Sequence, residues 1–209
     1  ASPFRRPVPE VSPLPIEREV LVDVSASLAS RVEFALERAL RIAQRFTTPE
    51  KIDEVLLQAH LFVGFPLVLE ALILWRRILP SHTPQASGER PEDWVARGEA
   101  VCATVYGANY EKLRANVARL HPDFDDWMVT GGYGRVIGRP GLDLATRELC
   151  IVGLLAVWDA PRQLHSHLKG ALHAGASAGE VTAALDIACR HLSRERCEQV
   201  RRLAARVLG

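Results

Sequence analysis

Apolar positions recur at three- and four-residue intervals almost from end to end of the chain, the spacing that lines one face of a helix. The pattern predicts helices over 19–30, 31–45, 49–62 and 67–79, a helical pair over 91–106 and 110–120, and four more helices over 143–158, 161–174, 178–191 and 194–208. No stretch alternates with the two-residue period of a half-buried strand. The longest apolar run, 61–75, is broken by Gly64, Pro66 and Glu70 and stays short of the ~20 residues that span a bilayer. Residues 1–15 hold Pro3, Pro7, Pro9, Pro13 and Pro15, and proline fixes φ and removes donors, so this stretch reads as an extended arm. The stretch PSHTPQASGERP over 80–91 reads as a connector, and Gly131, Gly132, Gly134, Gly138 and the Pro140–Gly141 pair as a loop.

The helices before the connector can be laid over those after the glycines. PIEREVLVDV falls on LATRELCIVG, with Glu19 opposite Glu148. Leu36, Ala39 and Leu40 then fall on Leu168, Ala171 and Leu172, and Ile52, Leu56 and Ala59 on Val181, Leu185 and Ala188. Thr48–Pro49 falls on Ser177–Ala178. Both are helix starts, since a hydroxyl at the cap accepts a backbone N–H and proline suits the first helical position. Ser177 and Glu180 have capping-box spacing. The expected organisation is an arm (1–15), a first helical module (16–79), a connector with a helical pair and glycine loop (80–141), and a second module (142–209). One module alone leaves apolar faces uncovered, so the two are expected to pack together about a pseudo-two-fold axis.

Composition narrows the function classes. With 26 basic and 25 acidic residues the net charge is +1, which gives no nucleic-acid surface. The first residues show no secretory pattern, and the expected location is cytoplasmic, with no membrane partner. Cys102, Cys150, Cys189 and Cys197 form no C-x-x-C and read as buried thiols. The four tryptophans read as core. The arginines at 190, 194, 196, 201, 202 and 206 read as a solvated, partly paired face.

Two residues stand out chemically. Glu148 shares a helix face with Ile151, Val152 and Leu155, and a carboxylate on an apolar stripe is costly to ionise, which suits a proton-transfer role. The competing reading is a first-turn Glu complementing the helix dipole with its head in water. His167 borders the face formed by Leu164, Leu168, Ala171 and Leu172. His165 borders the same face on its other side, and His173 lies farther round, toward the polar side. Residues two apart on a helix point ~160° from each other, so His165 and His167 cannot chelate one ion. With no H-x-x-x-H either, no metal site is expected. Trp158, at the end of the Glu148 helix, is a candidate pocket wall.

The stretch RPGLDLATRELCIVGLLAVWDAPRQLHSHLKGALHAGASAGEV resembles the carboxymuconolactone decarboxylase family, as does TTPEKIDEVLLQAHLFVGFPLVLEALILWRRIL, where Phe62, Gly64 and Pro66 stand in place of a Tyr-x-Gly-x-Pro turn. The resemblance implies an all-α tandem helical repeat of the alkylhydroperoxidase D-like type, assembled as a homotrimer. The redox branch carries E-x11-C-x2-C-x3-H. Laid on Glu148, its cysteines fall on Ala160 and Gln163 and its histidine on His167, so the dithiol chemistry is not expected. What the resemblance implies instead is a cofactor-independent decarboxylase or lactone isomerase acting on a small organic acid, with Glu148 as proton donor and His167 stabilising negative charge. His165 and Trp158 are then candidate substrate contacts. The first module has Ala35 opposite His167, so one site per chain is expected. The alternatives are a non-catalytic helical module that binds a ligand or partner, and a peroxidase acting through Cys150 alone.

Overall fold

The structure, a computed structural model, describes residues 13–209. The arm expected over 1–15 lies, up to residue 12, outside the described residues. Among the described residues there is no strand. Ten α-helices run in order: α1 (Ile16–Ala29), α2 (Glu33–Ala43), α3 (Pro49–Ile78), α4 (Glu92–Tyr106), α5 (Tyr110–Leu120), α6 (Pro122–Asp126), α7 (Leu144–Trp158), α8 (Pro161–His173), α9 (Ala178–Cys189) and α10 (Arg194–Leu208). A 3-10 turn (Gly107–Asn109) separates α4 from α5, and a π-helix (Trp127–Ile137) continues from α6.

Two central helices organise the rest. α7 is apolar on nearly all sides and is buried from Ala145 to Ala156, as a helix without a polar face must be. Asp143 starts it by accepting the Thr146 N–H at 2.9 Å. α1 is buried from Val20 to Ala29. The two cross antiparallel: Ser25 Oγ donates to the Cys150 carbonyl at 2.8 Å, and a Cβ on Gly153 would lie 2.9 Å from Val22 Cγ1. Around this crossing, α2 and α3 pack on α1, and α8 and α9 on α7. α9 also reaches α1, and α3 reaches α7. The last contact buries a charge. Arg147, fully enclosed, donates to Glu54 Oε2 at 2.7 Å and to Gln58 Oε1 at 3.2 Å, both on α3. A buried guanidinium is tolerated only with such partners.

Several sequence expectations change. The helices expected over 49–62 and 67–79 form one 30-residue element, broken at Gly64, whose φ of 81° and ψ of 164° are non-helical. Only glycine adopts that backbone cheaply, and Pro66 removes a donor just beyond it. By length and composition α3 is apolar enough to cross a membrane. Counting uninterrupted apolar residues missed this, because hydropathy averaged along a helix passes over Gly64 and Pro66. The glycines at 131, 132 and 134 lie in the π-helix, not in a loop. A Cβ on Gly134 would lie 2.1 Å from the Trp94 carbonyl oxygen, and one on Gly98 2.2 Å from that of Val129. The glycines therefore let α4 and the π-helix meet backbone to backbone, and Arg97 Nε donates to the Gly134 carbonyl at 2.7 Å across that contact.

Cys189 and Cys197 are joined in a disulfide, against the expectation of four thiols; Cys102 and Cys150 are free and buried. The short turn between α9 and α10 brings the end of one helix against the first turn of the next, which a C-x-x-C search does not test. Trp75 is fully buried, but Trp127 is 65% exposed and is not core. The capping box of Ser177 and Glu180 forms. Pro49 takes the first helical position, whereas the Thr48 side chain makes no cap bond. The basic face of α10 is paired as expected, for example Arg196 with Asp159 at 2.6 Å and Arg201 with Asp186 at 2.7 Å.

Candidate functional site

Glu148 lies in the second turn of α7 with its carboxylate completely buried among Ile151, Val152 and Leu155, all buried too. A left-handed residue, Asp159 (φ 62°), ends α7 and lets α8 fold back along it. That return brings His167 to Glu148: Nδ1 and Oε2 are 2.8 Å apart. The two sequence-selected residues therefore form one buried pair sharing a proton. Either the imidazole N–H donates to the carboxylate, or the carboxylic acid donates to Nδ1. The other carboxylate oxygen, Oε1, is buried with no hydrogen-bond partner. Leaving such an atom unsatisfied costs ~1–3 kcal/mol, and such exceptions in a native fold call for a reason, function among them.

Gly170 makes the pair possible. A Cβ there would lie 2.7 Å from Glu148 Oε2 and 2.7 Å from Val105 Cγ1 on α4. The glycine thus lets three helices close on the carboxylate. The Phe62 ring stands edge-on to His167, with centroids 5.5 Å apart and planes at 84°. The turn at Phe62, Gly64 and Pro66, carried by the first half of the chain, lies against the imidazole of the second half.

Sequence reasoning missed the wall opposite. Tyr133 on the π-helix donates its hydroxyl to Tyr106 at the end of α4, at 3.2 Å, and the two rings meet edge-on at 5.9 Å. Burial raises the pKa of Tyr106 and pushes that of Tyr133 well above its ordinary value; the nearby charge of Glu148 acts in the same direction on both. Both stay protonated donors at neutral pH. Burial likewise pushes the Cys102 thiol up to about 12. No periodicity signals these residues: Tyr106 ends a helix and Tyr133 sits among glycines. His173, read as facing away, packs its ring on Gly107 and has Nδ1 2.9 Å from the Val105 carbonyl, which pins the end of α4 beside Tyr106.

The other candidates lie elsewhere. Trp158 is ten residues from Glu148 along α7, ~15 Å at helical rise, with the Arg31 guanidinium 5.8 Å above its ring. It lines a separate crevice with Val157 and His191. His165 does not join the buried pair but lines a groove between α8 and the α4–α5 corner, together with Val105 and Tyr106. Cys150 is enclosed, and burial pushes its thiol up to about 12, so it carries almost no thiolate. Among the described residues no group of three His, Cys, Asp or Glu side chains is arranged to hold a metal.

Among the described residues these features define an all-helical protein with a buried carboxylate–imidazole pair. Residues 122–205 match the carboxymuconolactone decarboxylase family. The matched segment begins at α6, so it takes in the π-helix with Tyr133 as well as Glu148 and His167. Over 142 residues the chain is 26% identical to Peroxisomal protein 2 of Schizosaccharomyces pombe, covering 66% of this chain and 67% of that one.

Proposed function

We propose that the chain is a cofactor-independent acid–base enzyme that decarboxylates, or shifts the double bond of, an unsaturated lactone acid or similar small organic acid. The observation that carries this reading is the buried Glu148–His167 pair, whose second carboxylate oxygen has no partner among the described residues. Loss of CO2 from such an acid leaves an electron-rich carbon–carbon–oxygen system. It must be stabilised at oxygen and protonated at carbon. In this reading His167 stabilises the negative charge and Glu148 delivers the proton, and the enclosure of both strengthens each interaction. The high pKa and burial of Cys150 weigh against the thiol peroxidase alternative.

The same reading takes the fold as two helical modules related by a pseudo-two-fold axis through the crossing of α1 and α7. Supporting it, Arg18 and Arg147, equivalent in the two modules, each reach a glutamate on the third helix of the other module: Glu180 at 2.6 Å and Glu54 at 2.7 Å. Only the second module has the histidine, so there is one site per chain, and the Phe62 turn of the first module serves as its wall. The assembly is a homotrimer, supported by the exposed apolar row Phe65, Leu69 and Ile73 on α3; light scattering giving a monomer overturns this. We place the protein in the cytoplasm. The name of the yeast relative makes the peroxisome the rival location, and fractionation decides between them.

The test is turnover of an unsaturated lactone acid by wild type, Glu148→Gln and His167→Ala. Both variants should lose at least ~100-fold in kcat/KM. Unchanged rates in both leave a non-catalytic helical module, whose Glu–His pair is a structural remnant.

A further inference from the structure

Behind the Glu148–His167 pair, between α8 and the corner formed by α4 and α5, runs a groove of about 240 Å³. Its polar lining is Tyr106, Asn109, Lys112, Asn116, His165 and Lys169, with the hydroxyl of Ser166. No carboxylate lines it. Neither Lys112 nor Lys169 is paired with an acid among the described residues, although most arginines of the chain are paired. His165 and Lys169 are four residues apart on α8 and so share one face, while His167 turns inward to Glu148. The groove thus concentrates uncompensated positive charge and amide donors in a space suited to a small molecule.

Tyr106 connects this groove to the buried pair. Its ring lines the groove, and its hydroxyl is held by the Tyr133 hydroxyl, which donates to it. The proton of Tyr106 itself has no acceptor among the described hydrogen bonds, and Glu148 Oε1 has no donor. Tyr106 is thus shared: its ring lines the cationic groove, and the charge of the buried Glu148 acts on its hydroxyl.

We propose that this groove binds the carboxylate of a small organic acid, seated by Lys112 and Lys169, with the body of the acid lying against Tyr106 so that its reacting end faces Glu148. Tyr106 contacts the bound acid, and Tyr133 acts as a positioning residue through its hydrogen bond to Tyr106. The assignment rests on the acid–base reading above for the identity of the reacting end. The anion site itself stands on the lining of the groove.

Isothermal titration with 2-furoate, 2-furamide and inorganic phosphate tests it. The wild type should bind 2-furoate, with an affinity that falls as salt rises. It should bind the isosteric amide and phosphate far more weakly. The double variant Lys112→Gln/Lys169→Gln should bind 2-furoate about tenfold more weakly, close to 1.4 kcal/mol. Tyr106→Phe should lose several-fold by a different route, keeping the salt dependence. Tyr133→Phe should lose less in binding and more in kcat than in KM for the lactone acid. Each change removes only a charge or a hydroxyl, and unaltered thermal unfolding of each variant shows that the fold is kept. Equal binding of 2-furoate by wild type and the double lysine variant overturns the proposal, as does equal binding of the amide or phosphate, or no binding at all. If Glu148→Gln abolishes turnover while the lysine variant binds normally, the groove assignment falls and the acid–base reading stands. If the lysine variant loses binding while Glu148→Gln turns over normally, the reverse holds.

Discussion

α1 and α7 carry the same local signature, Arg18–Glu19 and Arg147–Glu148, yet only one of the two glutamates is enclosed against a histidine. Glu148 is fully enclosed and faces His167; the Glu19 side chain is 25% exposed and pairs with Arg190 at 3.4 Å. Arg147 is enclosed too, while Arg18 lies near the surface between Glu180 and Asp143. The helices themselves are not the cause, since both are buried along most of their length. The cause is what covers their first turns. α4 packs on α8, bringing Val105 beside Gly170 and the Glu148 carboxylate, and the π-helix packs on α4. Among the described residues no such cover lies on Glu19. The same Arg–Glu dipeptide therefore makes partly exposed ion pairs with other elements in one place and is fully enclosed in the other. The lesson is that enclosure, supplied by a third segment, separates two positions that local sequence makes alike.

That contrast can be broken most sharply by paired substitutions. Glu148→Gln should lower turnover of an unsaturated lactone acid by at least ~100-fold, whereas Glu19→Gln should stay within about twofold of wild type; comparable losses would show the two positions to be functionally equivalent. Next comes the pair of buried and surface ion pairs. Glu54→Gln leaves Arg147 without its anion and should cost ~3 kcal/mol in urea unfolding. Gly134→Ala tests the cover itself. Its Cβ has nowhere to go beside the Trp94 carbonyl, so the variant should lose ~2 kcal/mol, while Gly131→Ala, with open space around it, should be close to neutral. The smallest effect is expected at Glu180, the surface counterpart of Glu54, where Glu180→Gln should cost about 0.5 kcal/mol. The Ser177 backbone N–H holds the Glu180 carboxyl below its ordinary pKa, opposed by some desolvation and helped by the Ser177 side chain and Arg18. A depressed carboxylate pKa contributes stability that is complete above the ordinary glutamate range and fades as pH falls through the lowered value. Acid unfolding of wild type should therefore be steeper in that window than that of Glu180→Gln, and identical profiles would remove Glu180 from the account.

Much of this was legible in the chain. The 3.6-residue period fixes the helices, and the capping residue Ser177 fixes one of their starts. Glu148 was recognisable as a carboxylate on an apolar stripe, because local periodicity suffices to place neighbours on one helix. Its pairing with His167 was implied by the family resemblance, whose motif spacing counts one helix, one tight turn and part of the return helix. The remaining members of the site were not legible. Phe62, Tyr106 and Tyr133 come from three other segments, and their meeting depends on how helices cross. The glycine-rich stretch was misread for the same reason: in sequence Gly131, Gly132 and Gly134 signal a turn, and only the close approach of α4 reveals that they permit a helix–helix contact. The disulfide between Cys189 and Cys197 and the lone exposure of Trp127 are likewise matters of tertiary placement.

The amino-acid sequence by itself determined that the described chain is helical, where most of the helices run, and that Glu148 is a carboxylate on an apolar face, because these follow from periods within one helix; the match of Glu148 and His167 to one motif came from the family resemblance. Tertiary structure alone decided that the pair is enclosed, that Phe62 stands against its imidazole, and that Glu19 stays partly exposed. Burial belongs to the crossing of segments far apart in the chain, and no local pattern of apolar and polar residues carries that information.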